Sequence, residues 1–228
     1  MKLLQAILDK IDDKLTGKLF SRPKRQVVII VEKMQRKLRN NKVSVVDLGG
    51  GHNPQYKLVL QTIAKKYINI EITRGPGVDI VGSVYDIPLK KSSADVITLF
   101  MVMEHLYDPL RALKECNRVL NKGGLLAITT VQYWHTHNHP SDYYRYTKAG
   151  LEHLCKEAGF QIVSMWSMGG PFLVIFHAIE LNLPGMLRTI YSILFYRLAN
   201  WLDWIVFRHL DTRIYSDSVG WACIAKKI

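Results

Sequence analysis

This chain of 228 residues predicts an α/β fold whose sheet is mostly parallel and covered by helices on both faces. Three observations carry that prediction. From Lys42 to Ser167, apolar runs of strand length alternate with amphipathic runs of helical length. The strand-like runs are apolar almost throughout, as strands buried on both faces must be. One of them, in the stretch VSVVDLGGGHNPQY (Val43–Tyr56), runs straight into three glycines, and the turn after such a strand is where open α/β sheets hold ligands.

The elements follow in order. Leu3, Leu4, Ile7, Leu8, Ile11, Leu15 and Leu19 recur at helical spacing, which predicts an amphipathic helix over residues 2–20. Arg22-Pro23 breaks it, and a basic second helix runs to about Asn40. KVSVVDL is the first strand. Asn53 as N-cap and Pro54 at the first helical position start a helix to Tyr67, with Leu58, Val59, Ile63 and Ala64 inward. YINIEI and GVDIVG are the second and third strands, and ADVITLFMV is the fourth. PLRALKECNRVL is a helix stopped by Asn121-Lys122-Gly123-Gly124, and GLLAITTV is the fifth strand. TKAGLEHLCKEAG is a helix capped by Thr147 and ended by Gly159, and FQIVSMWS follows as a strand. Residues 171–207 are rich in Leu, Ile, Phe, Tyr and Trp, and SVGWACIAKKI is a last strand, expected at the sheet edge beside the strand near Phe160.

Composition narrows the partners. The balance of 31 Lys+Arg against 19 Asp+Glu gives a net charge of +12. Eight basic residues between Arg22 and Lys42 face a single acid, Glu32, so that segment alone carries +7 (eight minus one). A nucleic-acid or membrane footprint is one reading and a solvated helix face the other. No aromatic residue interrupts the basic run, whereas single-stranded nucleic-acid sites interleave the two, so nucleic acid is not the expected partner. Cys116, Cys155 and Cys223 sit apart among apolar residues and read as reduced core thiols of a cytoplasmic protein. Asp9, Asp12 and Asp13 interrupt the start where a secretory signal would be apolar.

The glycine turn has a chemistry. A dinucleotide fingerprint needs a third glycine where this chain has Pro54, and Asp47 at the strand end repels phosphate. A ligand carrying positive charge tolerates that acid. Glu71 ends the second strand 24 positions after Asp47 (71 minus 47), where a carboxylate can accept hydrogen bonds from both hydroxyls of a ribose. Its alternative is an ion pair with Arg74.

Five motifs in order then carry a resemblance: the glycine turn, Glu71, DIPL after the third strand, MEHLYDP after the fourth and LNKGGLLAIT into the fifth. Over roughly residues 43–166 the chain resembles the class I S-adenosylmethionine-dependent methyltransferases of the type 11 group. The resemblance implies a Rossmann-like class I methyltransferase fold with a seven-stranded, mostly parallel sheet, and S-adenosyl-L-methionine as cofactor. It implies that Asp47, Gly49, Gly50 and Gly51 hold the methionine part and Glu71, beside Ile72, the ribose. Asp86, with Tyr85 and Ile87, would face the adenine. Phe100, Met101 and the following residues to His105 would floor the site below the sulfonium. Ser83 stands where relatives often carry an acid.

Methyl transfer is largely positioning of a nucleophile behind the methyl group, and an oxygen nucleophile must also lose a proton. His105 is a candidate base; capping its own turn is the alternative. The stretch VQYWHTHNHPSDYYRYT (Val131–Thr147) follows the fifth strand on the ligand side. His135, His137 and His139 alternate there, but Pro140 bends the run and no second ligand cluster is visible, so no metal is expected. The pattern HPSDYYRYT resembles a subgroup associated with bacterial surface glycan or lipid pathways, which makes His139, Tyr143 and Arg145 the acceptor-side candidates. Arg145 suits a forked contact to a carboxylate or phosphate, and Tyr144 and Tyr146 suit packing.

Four parts are therefore expected. Residues 1–42 form helices over the cofactor side, 43–170 the cofactor-binding core, 171–212 an apolar helical insertion, and 213–228 the final core strand. The acceptor is a small molecule, or a glycan- or lipid-linked one, methylated at oxygen. The apolar insertion suggests peripheral contact at the inner face of a membrane, a lipid-linked acceptor or a second subunit. The alternatives are an RNA methyltransferase and a non-catalytic subunit on the same fold. Local residue types leave the oligomeric state open.

Overall fold

A computed structural model describes residues 23–39, 41–137, 141–207 and 217–228. The helix expected over 2–20 lies outside them. Seven strands form one sheet in the order β3-β2-β1-β4-β5-β7-β6, built from β1 (Val43–Leu48), β2 (Ala64–Glu71), β3 (Ile80–Val81), β4 (Ala94–Phe100), β5 (Leu120–Val131), β6 (Phe160–Ser167) and β7 (Gly220–Lys227). The pairs along β3, β2, β1, β4 and β5 are parallel, and β7 runs antiparallel to both its neighbours. The last strand is thus inserted between β5 and β6 rather than laid on the edge. Its pairing with β6 is as expected. The insertion suits its composition, because Trp221 to Ala225 are all buried and an apolar strand is poorly placed on an exposed edge.

Successive strand residues point to opposite faces, and two cores result. On one face, α3 (Pro109–Val119) and α4 (Lys148–Glu157) cover Val46, Leu48, Ile97, Leu99 and Ile128. On the other, α1 (Pro23–Lys37) sets Val27, Ile30, Val31 and Met34 against Val45, Val96, Leu125 and Ile224. Burying each such aliphatic side chain stabilises by roughly 1.5–3 kcal/mol. Glu32, Lys33, Arg36 and Lys37 of α1 stay exposed, as both the solvated-face and the footprint readings of the basic segment require. Lys33 lies 5.1 Å over the Trp166 ring, whose indole N–H donates to Gln26 at 2.8 Å. Asp108 caps α3 by accepting from the Arg111 N–H, and Thr147 caps α4 by accepting from the Gly150 N–H.

Element ends depart from the sequence reading where the backbone turns left-handed. The helix expected from Pro54 to Tyr67 is only α2, Lys57–Gln61. Gly51 and Asn53 both have positive φ (77° and 57°), so the chain keeps turning, Tyr56 instead of Asn53 takes the N-cap position, and β2 begins already at Ala64. Leu58, expected inward, is 81% exposed. The third strand shrinks to two residues. β4 stops at Phe100 because Met101 adopts φ 58°. Asn121–Gly124, expected as a helix stop, already belong to β5, which bulges against β4 there.

Beyond β6, α5 (Pro171–Glu180) and α6 (Gly185–Phe207) pack on each other around Phe176, Tyr191 and Tyr196, with Phe176 and Tyr191 stacked at 5.1 Å. Asp203 of α6 accepts from the N–H groups of Gly170, Phe172 and Leu173 at 2.9–3.2 Å. It caps the start of α5 from a different helix, satisfying donors that a helix cannot satisfy itself. Replacing Asp203→Ala should lower unfolding free energy by about 1–2 kcal/mol and quicken limited proteolysis around Gly169-Gly170, read by urea titration and by fragment mapping; an unchanged digestion pattern would show the contact to be dispensable.

Candidate active site

The carboxyl ends of β1, β2 and β4 meet around one glycine turn. Asp47 near the end of β1 is 1% exposed. Its carboxylate accepts from Thr98 of β4 at 2.6 Å and from Tyr67 of β2 at 2.8 Å, so one side chain ties three strands together. Burial, reinforced by the nearby Glu71 charge and opposed by these two hydrogen bonds, raises its pKa to about 6. The phenols of Tyr56 and Tyr67 respond in the same direction, from burial and the Asp47 charge, and Tyr56 reaches about 12.

The turn sits directly on this carboxylate. A Cβ on Gly50 would lie 2.6 Å from an Asp47 oxygen, and one on Gly49 (φ 70°) 2.6 Å from Val102, so neither position admits a side chain without displacement. Asn69 fastens the turn to β2, donating to the Gly51 carbonyl at 3.0 Å and the Gly77 carbonyl at 2.9 Å. Glu71, at the β2 end, accepts from the N–H of Gly51 at 3.1 Å and of Ile72 at 2.8 Å.

In front of the turn lies a cavity of about 330 Å³. Of the cofactor residues read from the sequence, Gly49, Glu71, Ile72, Tyr85, Met101 and His105 line it. Six others do not, each for a visible reason. Asp47 is consumed beneath the turn, and Gly50 is pressed between Asp47 and Asn69. Gly51 reaches Glu71 through its N–H alone. Asp86 is exposed on a tight bridge to Ser83. Ile87 is buried in the core with its N–H on Glu115. Phe100 packs edge-on against Tyr56 at 5.4 Å. Val102, within the expected floor segment, lines the cavity too; sequence reasoning missed Tyr107 and Ser141 on the wall and Asn69 behind it, and Ser83, which stands where relatives often carry an acid, is also on the wall. Tyr107 stands in the quoted MEHLYDP stretch, 4.5 Å from the Tyr85 ring. Met101 holds a left-handed backbone that a non-glycine residue rarely takes.

The other wall comes from the segment after β5. The 3-10 turn Met103–His105 is stitched to it: the Glu104 carbonyl accepts from the N–H of Tyr143 at 2.8 Å and Tyr144 at 3.3 Å, and Tyr146 donates to the Met103 carbonyl at 2.8 Å. His105 Nδ1 faces the Ser141 carbonyl. A carbonyl can only accept, so Nδ1 carries the proton and the neutral ring keeps its lone pair on Nε2. Tyr143 lines the cavity and is exposed, whereas Tyr146 is buried, as its packing role requires. Arg145 is not free for an acceptor anion. Its fork closes on Asp142, and the rest of the guanidinium donates to the carbonyls of Trp134, His135 and Tyr144. The pairing holds the Asp142 carboxyl well below the usual carboxylate range. His139 lies outside the described residues.

A protein-family model described as a methyltransferase domain matches residues 14–165. A protein of Mycobacterium tuberculosis strain H37Rv named as a probable S-adenosylmethionine-dependent methyltransferase is 41% identical over 59 residues, 25% of this chain and 22% of that protein. A Mycolicibacterium smegmatis relative is 43% identical over 58 residues, 25% of this chain and 23% of its own length. The chain thus matches less than a quarter of the length of these curated relatives. Among solved structures, the 1,6-didemethyltoxoflavin-N1-methyltransferase of Burkholderia thailandensis, solved with S-adenosylhomocysteine, aligns over 98% of this chain and 88% of its own at TM-score 0.57 and 13% identity. An S-adenosylmethionine-dependent methyltransferase of Mesorhizobium loti aligns over 90% and 98% at TM-score 0.57 and 13% identity. The cyclase SpnF aligns over 88% and 80% at TM-score 0.56 and 17% identity. Likenesses at such identity establish the fold, and a fold by itself does not fix a reaction.

The buried acid gives a pH signature. With its folded pKa raised to about 6 against 3.8 in the unfolded chain, Asp47 favours the native state only while protonated, and its contribution falls as pH rises from about 4 to 6. Denaturant titrations of wild type and Asp47→Asn should therefore diverge across that window, by up to about 3 kcal/mol in favour of the variant at the upper end; a difference independent of pH would mean that the Asp47 pKa is the same in the folded and unfolded chain.

Proposed function

The chain belongs to the class I S-adenosylmethionine-dependent methyltransferases, and from that premise we propose that it transfers a methyl group from S-adenosyl-L-methionine to an oxygen of a small, glycan-linked or lipid-linked acceptor. The observation that carries the cofactor half is the Glu71 carboxylate on the cavity rim. Two backbone N–H groups fix its orientation and leave lone pairs for the two hydroxyls of a ribose. Gly49 and Met101 line the same space, so backbone lies where an amino-acid tail would run. Tyr85 and Tyr107 supply aromatic wall and His105, Ser141 and Tyr143 polar wall, the Tyr107 and Tyr143 rings meeting edge to face at 6.4 Å. Bound there, the cofactor supplies an electrophilic methyl on a sulfonium, a charge that the acids Asp47 and Glu71 suit better than they suit phosphate.

Acceptor oxygens enter along this polar wall. Tyr143, exposed and on the wall, is placed to contact them, and His105 offers the Nε2 lone pair. Arg145 acts through Asp142 as a positioning residue, holding the loop that carries Tyr143. The lipid-linked reading rests on what adjoins this wall. Trp134 of the loop packs on His177 of α5 at 5.0 Å, and α6 beyond it exposes Met186, Ile190, Leu194, Leu198, Trp201 and Trp204. Monomeric surfaces rarely leave so much apolar area open. Among the described residues no helix is long and apolar enough to cross a membrane, so such a face would lie on a bilayer surface, with tryptophans suited to that interface.

Two outcomes check this. Calorimetric titration with S-adenosylhomocysteine should show one saturable site, weakened at least tenfold, or about 1.4 kcal/mol, in Glu71→Ala and abolished in Gly49→Arg; a folded wild type that gives no heat would remove the cofactor reading. Isotope-labelled methyl from S-adenosylmethionine, supplied with a cell extract, should be recovered in organic-soluble glycolipid, and Leu194→Glu with Trp204→Glu should lower both that transfer and vesicle co-sedimentation. Label confined to RNA would favour the nucleic-acid alternative.

A further inference from the structure

The buried acid beside the acceptor wall has no use in the reading above. Glu104 is fully buried, at 0% exposure. One carboxylate oxygen, Oε2, accepts from Thr130 at 2.9 Å; the other, Oε1, has no hydrogen-bond partner among the described residues. A buried carboxylate oxygen left without a partner is costly, and native structures generally supply one. His105 and His137 stand next to it: a carboxylate oxygen of Glu104 and one nitrogen from each ring all lie within 4.8 Å of one another. The rings themselves meet edge to face at 5.0 Å.

We propose that Glu104, His105 and His137 form a binding site for one divalent first-row transition-metal ion at the acceptor end of the cavity. Two imidazoles and one carboxylate on one side of an ion leave its remaining positions open, the arrangement that metals of intermediate softness accept and that hard Mg²⁺ does not favour. The surroundings of both rings match what metal-bound histidines require. His105 Nδ1 is engaged by the Ser141 carbonyl, and His137 Nδ1 by the His135 carbonyl at 3.2 Å, with the Asp142 carboxylate at 3.4 Å. Each contact fixes a tautomer and leaves Nε2 unprotonated for coordination. The Asp142 carboxylate also accepts from the His137 backbone N–H at 2.9 Å and is itself clamped by Arg145, which gives this salt bridge a purpose in holding a ligand-bearing loop. The atoms lie within 4.8 Å of one another, and ligands about 2.1 Å from one ion stand roughly 3–3.5 Å apart, a difference that small side-chain rotations would take up. His105 also lines the cavity; with the ion bound its Nε2 is a ligand and no longer a base, and the ion's open positions would take hydroxyl oxygens of the acceptor and ease loss of their proton.

This site deepens the methyl-transfer reading, since it would hold an oxygen acceptor, but its formation does not depend on the cofactor. Protein stripped with a chelator and dialysed should bind one equivalent of Zn²⁺ in competition with a chromophoric chelator, without S-adenosylmethionine present. His137→Ala, which alters an exposed loop, and Glu104→Gln should each weaken Zn²⁺ at least tenfold, while His153→Ala on the exposed side of α4 leaves it unchanged. Mn²⁺ binding, followed by loss of its free electron-paramagnetic signal, should depend on the same residues. Absence of stoichiometric Zn²⁺ binding to folded wild type would overturn the site, as would binding lost in His135→Ala yet kept in both His137→Ala and Glu104→Gln. Cofactor calorimetry on the stripped protein separates the two claims: S-adenosylhomocysteine binding without Zn²⁺ binding sinks the metal site alone. Zn²⁺ binding without S-adenosylhomocysteine binding upholds the metal site and sinks the methyl-transfer reading.

Discussion

A single buried carboxylate organises the end of the sheet where the site lies. Asp47 could satisfy its charge from solvent only by leaving the core. Instead it draws Tyr67 from β2 and Thr98 from β4 onto β1, and the chain beyond it must fold over the top. Gly50 passes within contact distance of that carboxylate, so only a residue without Cβ fits. Asn69 and Glu71, both from β2, then fasten Gly51 from either side. The glycine turn is therefore held by hydrogen bonds to side chains of the neighbouring strand, and its glycines are required as much by the acid beneath as by any ligand above. Such an arrangement keeps a raised folded-state pKa, about 6, in exchange for a preformed cradle, a common relation between strain and function.

Strand-length apolar runs made the parallel layer legible, because burial on both faces leaves an unmistakable composition. The residues with known backbone habits were legible too: Thr147, Pro109 and Gly159 mark helix ends where expected. What escaped was set by contacts distant in sequence. Nothing near Trp221 tells that its strand slips between two others. Met101 carries no mark of its left-handed backbone, which only the packing of the β4 end imposes. The short α2 follows from positive φ at Gly51 and Asn53, where Asn53 reads equally well as a helix cap.

The site divides in the same manner. That Gly49 and Glu71 share one cavity was readable because they close consecutive strands and chain order fixes their spacing. The closeness of Glu104 and His137 was not, since they belong to separate segments brought together by the Glu104 carbonyl and its bonds to Tyr143 and Tyr144. Arg145 is the instructive exception. Its partner Asp142 stands three residues earlier, a local pairing that the sequence displays, yet the attraction of an unpaired arginine for an acceptor anion drew the reading outward. The exposed face of α6 adds a surface that neither the sheet nor the cavity needs, and it adjoins the loop through Trp134.

The central claim is that Glu71 and the glycine turn hold a ribose and an amino-acid tail in one preformed cavity. A crystal structure of the protein with S-adenosylhomocysteine tests it most directly. The account predicts both ribose hydroxyls within hydrogen-bonding distance of the Glu71 carboxylate, the amino-acid tail along Gly49 to Gly51, and no rearrangement of the Asp47 contacts. Nucleoside density away from Glu71, or a turn that must unlatch from Asn69 to admit it, would contradict it.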